Sequence, residues 1–252
     1  MSNFLLYPVG STESCLKAAH YLKNSGVPLI DHPCPEITHI LLDIPSFDNQ
    51  GRLRDGSDLS ELLRRLPDSV TVVGGNLKHR SIADYKTMDL LTDPMFLAKN
   101  AAITAECALQ AAAPYLITTY ADTPTLILGW GRIGKCLTRL LSALGASVTV
   151  AARNPSDRAL LHAFGCQAVD FFRMRDIASR YRLVFNTVPQ LPFADDPFSE
   201  NRNCIKIDLA SSPGMDGWDA VTARGLPGKY APETTGKLVA QTILRNIKED
   251  SI

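Results

Sequence analysis

Residues Thr125–Gly134 read TLILGWGRIG, and this stretch decides the fold. A short apolar run predicts a buried strand, and Gly129, Gly131 and Gly134 follow it in the spacing G-x-G-x-x-G. An amphipathic pattern then predicts a helix, and a second apolar strand comes after the helix. The first glycine makes a tight turn, the second lets the backbone approach a pyrophosphate, and the third lets the helix pack close to the sheet. This order of elements predicts a dinucleotide-binding fold.

The phosphates of a dinucleotide are expected to face the free N–H groups at the start of that helix. In a parallel sheet of this kind, ligands lie beyond the carboxyl ends of the strands. The residues predicted to contact the cofactor are therefore Gly129, Trp130, Gly131, Arg132, Ile133, Gly134, Arg153, Asn154, Asn186, Thr187, Val188, Pro189, Asp208, Leu209 and Ala210. The alternative is a glycine-rich turn in a doubly wound fold that binds nothing.

The end of the second strand indicates which dinucleotide is bound. An NAD site usually carries an acid about 20 residues beyond the glycines, where it binds the ribose 2′-OH. Arg153 stands at that position, and the first acid is Asp157, beyond the turn. A guanidinium can clasp a 2′-phosphate with two hydrogen bonds, and Ser156 and Arg158 can assist. The sequence therefore favours NADP(H), with NAD(H) still possible. Arg153 can also be a solvated loop residue, or stack on the adenine.

Composition narrows the class of protein. The chain has 26 basic and 26 acidic residues, so no nucleic acid or anionic membrane surface is expected as a partner. Neither an apolar run of membrane-spanning length nor a signal-peptide pattern is found. The six cysteines show no zinc-ligand spacing, so no metal is expected. Together these features predict a cytoplasmic α/β protein.

Strands and helices alternate along the chain, which predicts parallel sheets. In the first ninety residues, strands are predicted at 4–7, 37–42 and 70–73, and helices at 12–24 and 58–66, with Ser11 and Ser57 as the helix caps. A long helix capped by Asp93 follows. Later strands are predicted at 168–169, 183–186 and 205–209, and a closing helix runs from about 232 to 248. The ends of the strands again mark the expected ligand-binding edge.

Four segments resemble the dipicolinate synthase A-subunit family. They are LILGWGRIGKCLTRLLSALGASVTVAAR at 126–153, TAECAL at 104–109, IDLASSPG at 207–214 and GLPGKYAPETTG at 225–236. The similarity covers about residues 93–245. Cys107 and Met215 each stand where the family pattern has glycine. The first ninety residues match poorly, so a divergent, short N-terminal domain is expected.

The resemblance implies a fold like that of D-2-hydroxy acid dehydrogenases. A flavodoxin-like substrate domain is expected at 1–92, a bridging helix at 93–119 and a Rossmann domain at 120–231. The C-terminal helix, 232–252, is expected to pack back on the first domain. The resemblance also implies a sporulation enzyme that oxidises a dihydrodipicolinate-type heterocycle to the pyridine diacid with a nicotinamide cofactor, together with a flavoprotein-like B subunit. By analogy with proteins of this layout, we also expect a homo-oligomer.

Candidate catalytic residues follow from the expected chemistry. Hydride transfer usually needs one positioned acid or base, yet no histidine follows His162, so a lactate-type mechanism is not indicated. Glu106 and Asp208 are the candidate catalytic residues. Glu106 can equally be a surface or cap carboxylate, and Asp208 can cap the turn that follows it. For a diacid substrate the candidate contacts are Ser46, Thr104, Ser211 and Lys229.

Two other functions fit the same residues. One is a nicotinamide-dependent reductase of another cyclic imine or keto acid. The other is a non-catalytic cofactor-binding subunit whose first domain has lost its pocket. Turnover on defined substrates separates these functions.

Overall fold

A computed structural model of the chain describes residues 4–48, 50–189, 191, 193, 195–212 and 214–249. Pro213 and the last three residues of the helix predicted to end at 252 lie outside these described residues. The chain divides into two compact units, residues 1–100 with 227–252 and residues 101–226. The division falls inside the long helix that follows Asp93. The domain bounds stated above stay a prediction.

The first unit is built on a small parallel sheet. Its strands are β1 (Leu6–Pro8), β2 (His39–Leu41), β3 (Thr71–Gly74) and β4 (Lys86–Asp89), in the order β1-β2-β3-β4. Leu29 adds a parallel bridge to Leu6 on the outer side of β1. With this rudimentary strand counted second along the chain, the order becomes 2-1-3-4-5, which is that of flavodoxin-like folds.

The helices of the first unit are α1 (Glu13–Asn24), α2 (Leu59–Leu63), the start of α3 (Pro94–Ala112), most of α6 (Leu226–Tyr230) and α7 (Pro232–Glu249). Short 3₁₀ turns lie at Arg80–Ile82 and Leu90–Thr92. Ile40, Val72 and Leu59 belong to a buried core that α2 covers on one face of the sheet. Asp93 caps α3 as predicted, since its carboxylate accepts from the N–H groups of Met95 and Phe96.

Two predicted helix caps are wrong by one residue. The cap of α1 is Thr12 and not Ser11, because the carboxylate of Asp43 accepts from the backbone N–H groups of both residues and fixes where the helix begins. The cap of α2 is Asp58 and not Ser57, because the hydroxyl of Ser57 donates to Asp55 instead. The second helix also ends at Leu63, before the predicted 66. In each case a carboxylate engages the hydroxyl of the serine that the sequence pattern assigns as the cap.

Helix α7 packs along α1 at very short range. A side chain at Gly236 would place its Cβ 2.5 Å from Cβ of Lys17 and 2.8 Å from the backbone N of Ala18. Glu233 accepts from Tyr21 at 2.9 Å and pairs with Lys17 at 3.2 Å at the edge of this contact. The hydrogen bond from Tyr21 is the main reason that the pKa of Glu233 lies below its usual value. The absence of a side chain at residue 236 is therefore a packing requirement.

The second unit holds a six-stranded parallel sheet. Its strands are β5 (Thr125–Leu128), β6 (Val148–Ala152), β7 (Gln167–Asp170), β8 (Leu183–Asn186), β9 (Ile205–Asp208) and β10 (Val221–Thr222), in the order β10-β9-β8-β5-β6-β7. The helices are α4 (Arg132–Ala143) and α5 (Pro155–Ala163), with the second part of α3 and 3₁₀ segments at Ala113–Tyr115 and Phe171–Arg180. This is the 3-2-1-4-5-6 order of Rossmann sheets, read from the other edge. The predicted fold class, a flavodoxin-like domain plus a Rossmann domain, is confirmed.

In the described parts of the chain, no helix combines the length and the apolar character needed to cross a membrane.

The contact between α1 and α7 gives a stability prediction. Gly236→Ala should destabilise the protein, although alanine ordinarily favours a helix by about 0.5–1 kcal/mol, because overpacking costs about 1–3 kcal/mol. The measurement is the thermal unfolding midpoint, which should fall by several °C, at about 2–4 °C per kcal/mol for a chain of this size. Lys237→Ala, at the next and exposed position of α7, is the control and should leave the midpoint nearly unchanged. An unfolding midpoint that rises in Gly236→Ala would contradict the close approach.

Candidate functional site

Two glycines of the turn after β5 make close contacts, one with the loop after β8 and one between α4 and the strand end. Gly129 has a φ of +102°, in the region that favours glycine, and a Cβ there would lie 2.6 Å from Oγ1 of Thr187. A Cβ at Gly134 would overlap the carbonyl oxygen of Gly129. The helix backbone therefore rests directly on the end of the strand, as the sequence pattern requires.

Gly131 differs from its two neighbours in the motif. A Cβ built on it meets no atom within 4 Å, and its φ of −79° suits any residue. It caps α4, yet it offers no side chain to the N–H groups of the first turn. These N–H groups and the positive end of the helix dipole thus adjoin an open space beside the backbone. The space and the donors fit a pyrophosphate.

Buried polar groups join the carboxyl ends of β8 and β9. Nδ2 of Asn186 donates to Asp208 at 2.8 Å and to the carbonyl of Val188 at 2.9 Å. The other carboxylate oxygen of Asp208 accepts from the backbone N–H groups of Gly214 at 2.9 Å and Met215 at 3.2 Å. A Cβ at Gly214 would overlap the Asn186 amide, so glycine is required where the two loops meet.

The hydrogen bonds of Asp208 bear on its predicted catalytic role. Its side chain is buried, and each carboxylate oxygen accepts two hydrogen bonds from the unit itself, including one from the N–H of Ala210. A carboxylate in this state has little capacity left to accept a proton from a substrate. The geometry therefore favours the turn-capping alternative for Asp208.

The loop after β8 is also tied to the end of β5. The N–H and the hydroxyl of Thr187 both donate to the carbonyl of Leu128, at 3.0 and 2.8 Å. Val188 donates its N–H to the side chain of Asn186. Leu209 and Ala210, which follow β9, are buried, and Pro189 follows Val188 directly. The predicted contact residues of three strand ends thus lie together at one edge of the second unit.

The end of β6 carries Arg153, exposed and immediately after the last strand residue. Its guanidinium carbon lies 5.0 Å from the ring centre of Phe171, a cation–π distance. Asn154 caps α5 and binds both the N–H and the hydroxyl of Ser156, so Ser156 is engaged locally. Of the residues predicted to bind the 2′-phosphate, Arg153 is the one that stands at the end of β6.

Arg158, which is predicted to assist at the phosphate, is engaged elsewhere. Its guanidinium donates to the carbonyls of Ala152 and Arg153, both at 2.8 Å, and pairs with Asp170 at 3.0 Å. Asp170 ends β7 and lies opposite Ala152 in the sheet register. Sequence reasoning misses Asp170 and Phe171 because only the strand pairing brings them beside the end of β6.

Trp130 lies between the first two glycines of the turn. Its indole Nε1 is buried and has no hydrogen-bond partner among the described residues. The ammonium of Lys135, one turn into α4, lies 5.7 Å from the centre of the indole ring. Trp130 remains a predicted cofactor contact with one unused donor.

Of the residues predicted to contact substrate, Ser46 is the least suited. It is fully buried, its hydroxyl donates to the carbonyl of Asp43 at 2.8 Å, and it accepts from the N–H of Gly75 at 3.0 Å. These bonds join the ends of β2 and β3, and the hydroxyl is buried away from any ligand at the surface. This placement argues against a substrate contact by Ser46.

The other substrate candidates are spread over both units. Lys229 is exposed in the first unit, with its ammonium 5.2 Å from the ring centre of Tyr230. In the second unit, Thr104 is buried on α3 and Ser211 is exposed beyond β9. The structure therefore brings the predicted cofactor residues at the strand ends of the second unit together, and the predicted substrate residues belong to both units.

Glu106 lies on α3 with an exposed side chain. It makes no hydrogen bond or ion pair within the part of the chain that the structure describes. Burial raises the pKa of the neighbouring Cys107 thiol, and the charge of Glu106 raises it further. Cys107 is therefore a neutral thiol at neutral pH. Of these two neighbouring residues, only Glu106 offers a solvent-accessible charged group. Among the described residues, no cluster of metal-binding side chains occurs.

The strand order and the glycine turn define the second unit as a Rossmann-type domain. No family model matches the chain. Over 159 residues it is 28% identical to the A subunit of dipicolinate synthase from Bacillus subtilis (strain 168), a match that covers 60% of this chain and 54% of that relative. The match thus spans about half of the curated relative. The resemblance to the dipicolinate synthase A-subunit family, based on four motifs, is confirmed.

Solved structures agree on the fold. The A subunit of dipicolinate synthase from Bacillus halodurans superposes with a TM-score of 0.83 at 21% identity, covering 96% of this chain and 97% of that one. A D-isomer specific 2-hydroxyacid dehydrogenase from Lactobacillus delbrueckii ssp. bulgaricus, solved in its NAD complexed form, gives a TM-score of 0.52 at 11% identity, covering 98% and 97%. These superpositions show that the chain shares the fold of both proteins.

The open space at Gly131 gives a binding prediction. Gly131→Ala should fold normally, because the added methyl group meets no atom of the protein, yet it should weaken binding of both NADPH and NADH by about tenfold or more, since the methyl group occupies the approach to the pyrophosphate. Titration calorimetry measures the binding and thermal unfolding checks the fold. Ser142→Ala, at the exposed far end of α4, is the control. Unchanged affinity for both cofactors in Gly131→Ala would show that the turn does not hold the phosphates.

Proposed function

We propose that this protein is an NADP(H)-dependent oxidoreductase that oxidises a dihydrodipicolinate-type heterocycle to dipicolinate. The observation that carries the proposal is the open space at Gly131, in front of an α4 helix that no side chain caps. The fold around this turn is that of dinucleotide-binding domains, and the curated relative is named as part of a dipicolinate synthase. The residues of the site then support the choice of cofactor, the reaction and the proton acceptor, in that order.

Arg153 supports a choice of NADP(H). The residue stands at the end of β6, where NAD-binding proteins usually carry an acid for the ribose hydroxyls. A guanidinium in this place favours a 2′-phosphate by charge and by paired hydrogen bonds. The stacking of Arg153 on Phe171 restricts the side chain and lowers the entropy lost on binding.

The proposed oxidation removes one hydride and one proton from a dihydropyridine ring. When bound, an oxidised nicotinamide accepts the hydride at its C4. The ring carbon that loses the proton keeps the bonding electrons, and the product is aromatic. Because aromatisation makes this step downhill, correct placement of the ring can supply much of the rate.

Glu106 is the proposed proton acceptor. Its carboxylate is exposed and makes no hydrogen bond or ion pair with the described residues, so it can accept a proton directly or through water. Asp208 is proposed instead as a positioning residue, since it holds Asn186 and the loop at Gly214. Lys229, Thr104 and Ser211 remain proposed contacts of the substrate carboxylates.

Two alternative functions keep the same cofactor site. A reductase of another cyclic imine or keto acid would use the same turn with a different substrate pocket. The burial of Ser46 removes one predicted contact of the diacid substrate, and this leaves room for such a different pocket. A non-catalytic cofactor-binding protein would bind NADPH without turnover.

The remaining parts of the proposal concern assembly and context. We propose a flavoprotein-like B subunit as partner, because the curated relative is named as one subunit of a synthase. A homo-oligomer is proposed from the analogy of the fold. A role in sporulation and a location in the cytoplasm are proposed from the resemblance to the same family.

Arg153→Ala tests the choice of cofactor. The substitution should weaken NADPH binding by about tenfold or more and NADH binding much less, because a hydrogen bond to a charged group contributes about 1.5–3 kcal/mol. Titration calorimetry with each nucleotide measures the ratio of the two dissociation constants. Arg139→Ala removes an exposed arginine from α4 and should leave the ratio unchanged. Equal losses for the two cofactors in Arg153→Ala would remove NADP(H) selection from this residue.

The reaction itself is tested by product formation. Purified protein is mixed with NADP⁺, a freshly made dihydrodipicolinate-type precursor and a flavoprotein of the B type, and the absorbance of pyridine-2,6-dicarboxylate is followed. Glu106→Gln should lower the rate by about 10²–10⁴-fold with little change in NADPH affinity, since only the proton acceptor is lost. Turnover of cyclic imines or keto acids alone would establish the first alternative. Binding of NADPH with no turnover on any substrate would establish the second.

A further inference from the structure

The end of β7 places a carboxylate beside the proposed 2′-phosphate ligand. Asp170 is the last residue of β7, and in the sheet register it lies opposite Ala152, the residue before Arg153. Phe171 follows Asp170, and the guanidinium carbon of Arg153 lies 5.0 Å from the centre of its ring. A free carboxylate here would repel a phosphate bound by Arg153 and attract the arginine to itself.

Arg158 occupies the space between these groups. One of its nitrogens pairs with Oδ2 of Asp170 at 3.0 Å, and another donates to the carbonyls of Ala152 and Arg153 at 2.8 Å each. The side chain of Arg158 is only 20% exposed and that of Asp170 only 33%, so solvent screens the pair less than a surface pair. Oδ1 of Asp170 accepts from the N–H of Phe172, so both of its oxygens are engaged.

We propose that Arg158 is a specificity-determining positioning residue: by neutralising Asp170, it keeps the end of β6 receptive to the 2′-phosphate of NADP(H). This inference rests on the proposed cofactor function and extends it to a residue that does not itself touch the cofactor. The arrangement separates two tasks, because Arg153 binds the phosphate and Arg158 cancels the acid that would oppose it. NADP(H) selection then depends on both arginines.

The test is the ratio of the NADH and NADPH dissociation constants, measured by titration calorimetry on the full chain. Arg158→Met keeps much of the side-chain volume and removes the charge, and it should lower the preference for NADPH by about tenfold or more, since an opposed like charge is strongly unfavourable. The double variant Arg158→Met/Asp170→Asn removes the uncompensated acid as well. It should return the ratio to within about threefold of the wild type, because no uncompensated negative charge then opposes the phosphate.

Two further variants serve as controls. Asp170→Asn alone keeps the hydrogen bond to Phe172 and removes the negative charge, so it should leave the preference for NADPH unchanged or raise it. This variant gives an answer even if Arg158→Met does not fold. Arg173→Met breaks a comparable but exposed ion pair, between Arg173 and Asp176 at 3.4 Å. This variant should change the affinity for neither NADPH nor NADH.

The outcomes separate the inference from the proposed function. If the wild type binds NADPH no better than NADH, the NADP(H) function itself fails. If Arg153→Ala loses NADPH selectively while Arg158→Met keeps the wild-type ratio, only the inference is overturned. A lowered ratio that the double variant does not restore, or a lowered ratio in Asp170→Asn, also overturns it, because neutralisation of Asp170 would then not be the cause.

Discussion

The whole cofactor edge depends on one steric constraint, the direct contact of the α4 backbone with the end of β5. Gly134 lies against the carbonyl of Gly129, and the loop after β8 packs on Gly129 from the other side. With a side chain at Gly134, α4 would have to move away from the sheet, and a side chain at Gly129 would collide with the loop after β8. The first N–H groups of a displaced α4 would no longer adjoin the open space at Gly131. The free N–H groups that this edge offers to an anion are thus a consequence of backbone packing, and they need no charged side chain.

A second constraint makes the neighbouring strand ends rigid. Asn186, Asp208 and Gly214 form a buried polar cluster in which the amide and the carboxylate satisfy each other and the surrounding N–H groups. A buried cluster of this kind is stabilising only when every member is paired, so it fixes the loops in one arrangement. Thr187 extends the same arrangement to the end of β5. The edge that faces a dinucleotide is therefore preorganised by the protein itself.

Local sequence patterns predict the secondary-structure elements and their order, but they miss the contacts that strand pairing makes between distant residues. The glycine turn and the strand–helix order are local patterns, and they are sufficient to predict the fold class. The predicted cap of α1 is wrong because Asp43, some thirty residues away, decides it. The ion pair of Arg158 with Asp170 cannot be predicted, because it requires the register of β6 and β7. The burial of Ser46 is likewise a property of the sheet and not of the segment around it.

The two candidate carboxylates show how burial assigns different tasks to the same chemical group. Asp208 is buried and accepts four hydrogen bonds from its own unit, so protonating it would break contacts that hold two loops. Glu106 is exposed and makes no such bonds among the described residues, so a proton can reach it without structural loss. Of the two carboxylates, the fold therefore commits Asp208 to holding the loops at the ends of β8 and β9, and it leaves Glu106 accessible to solvent.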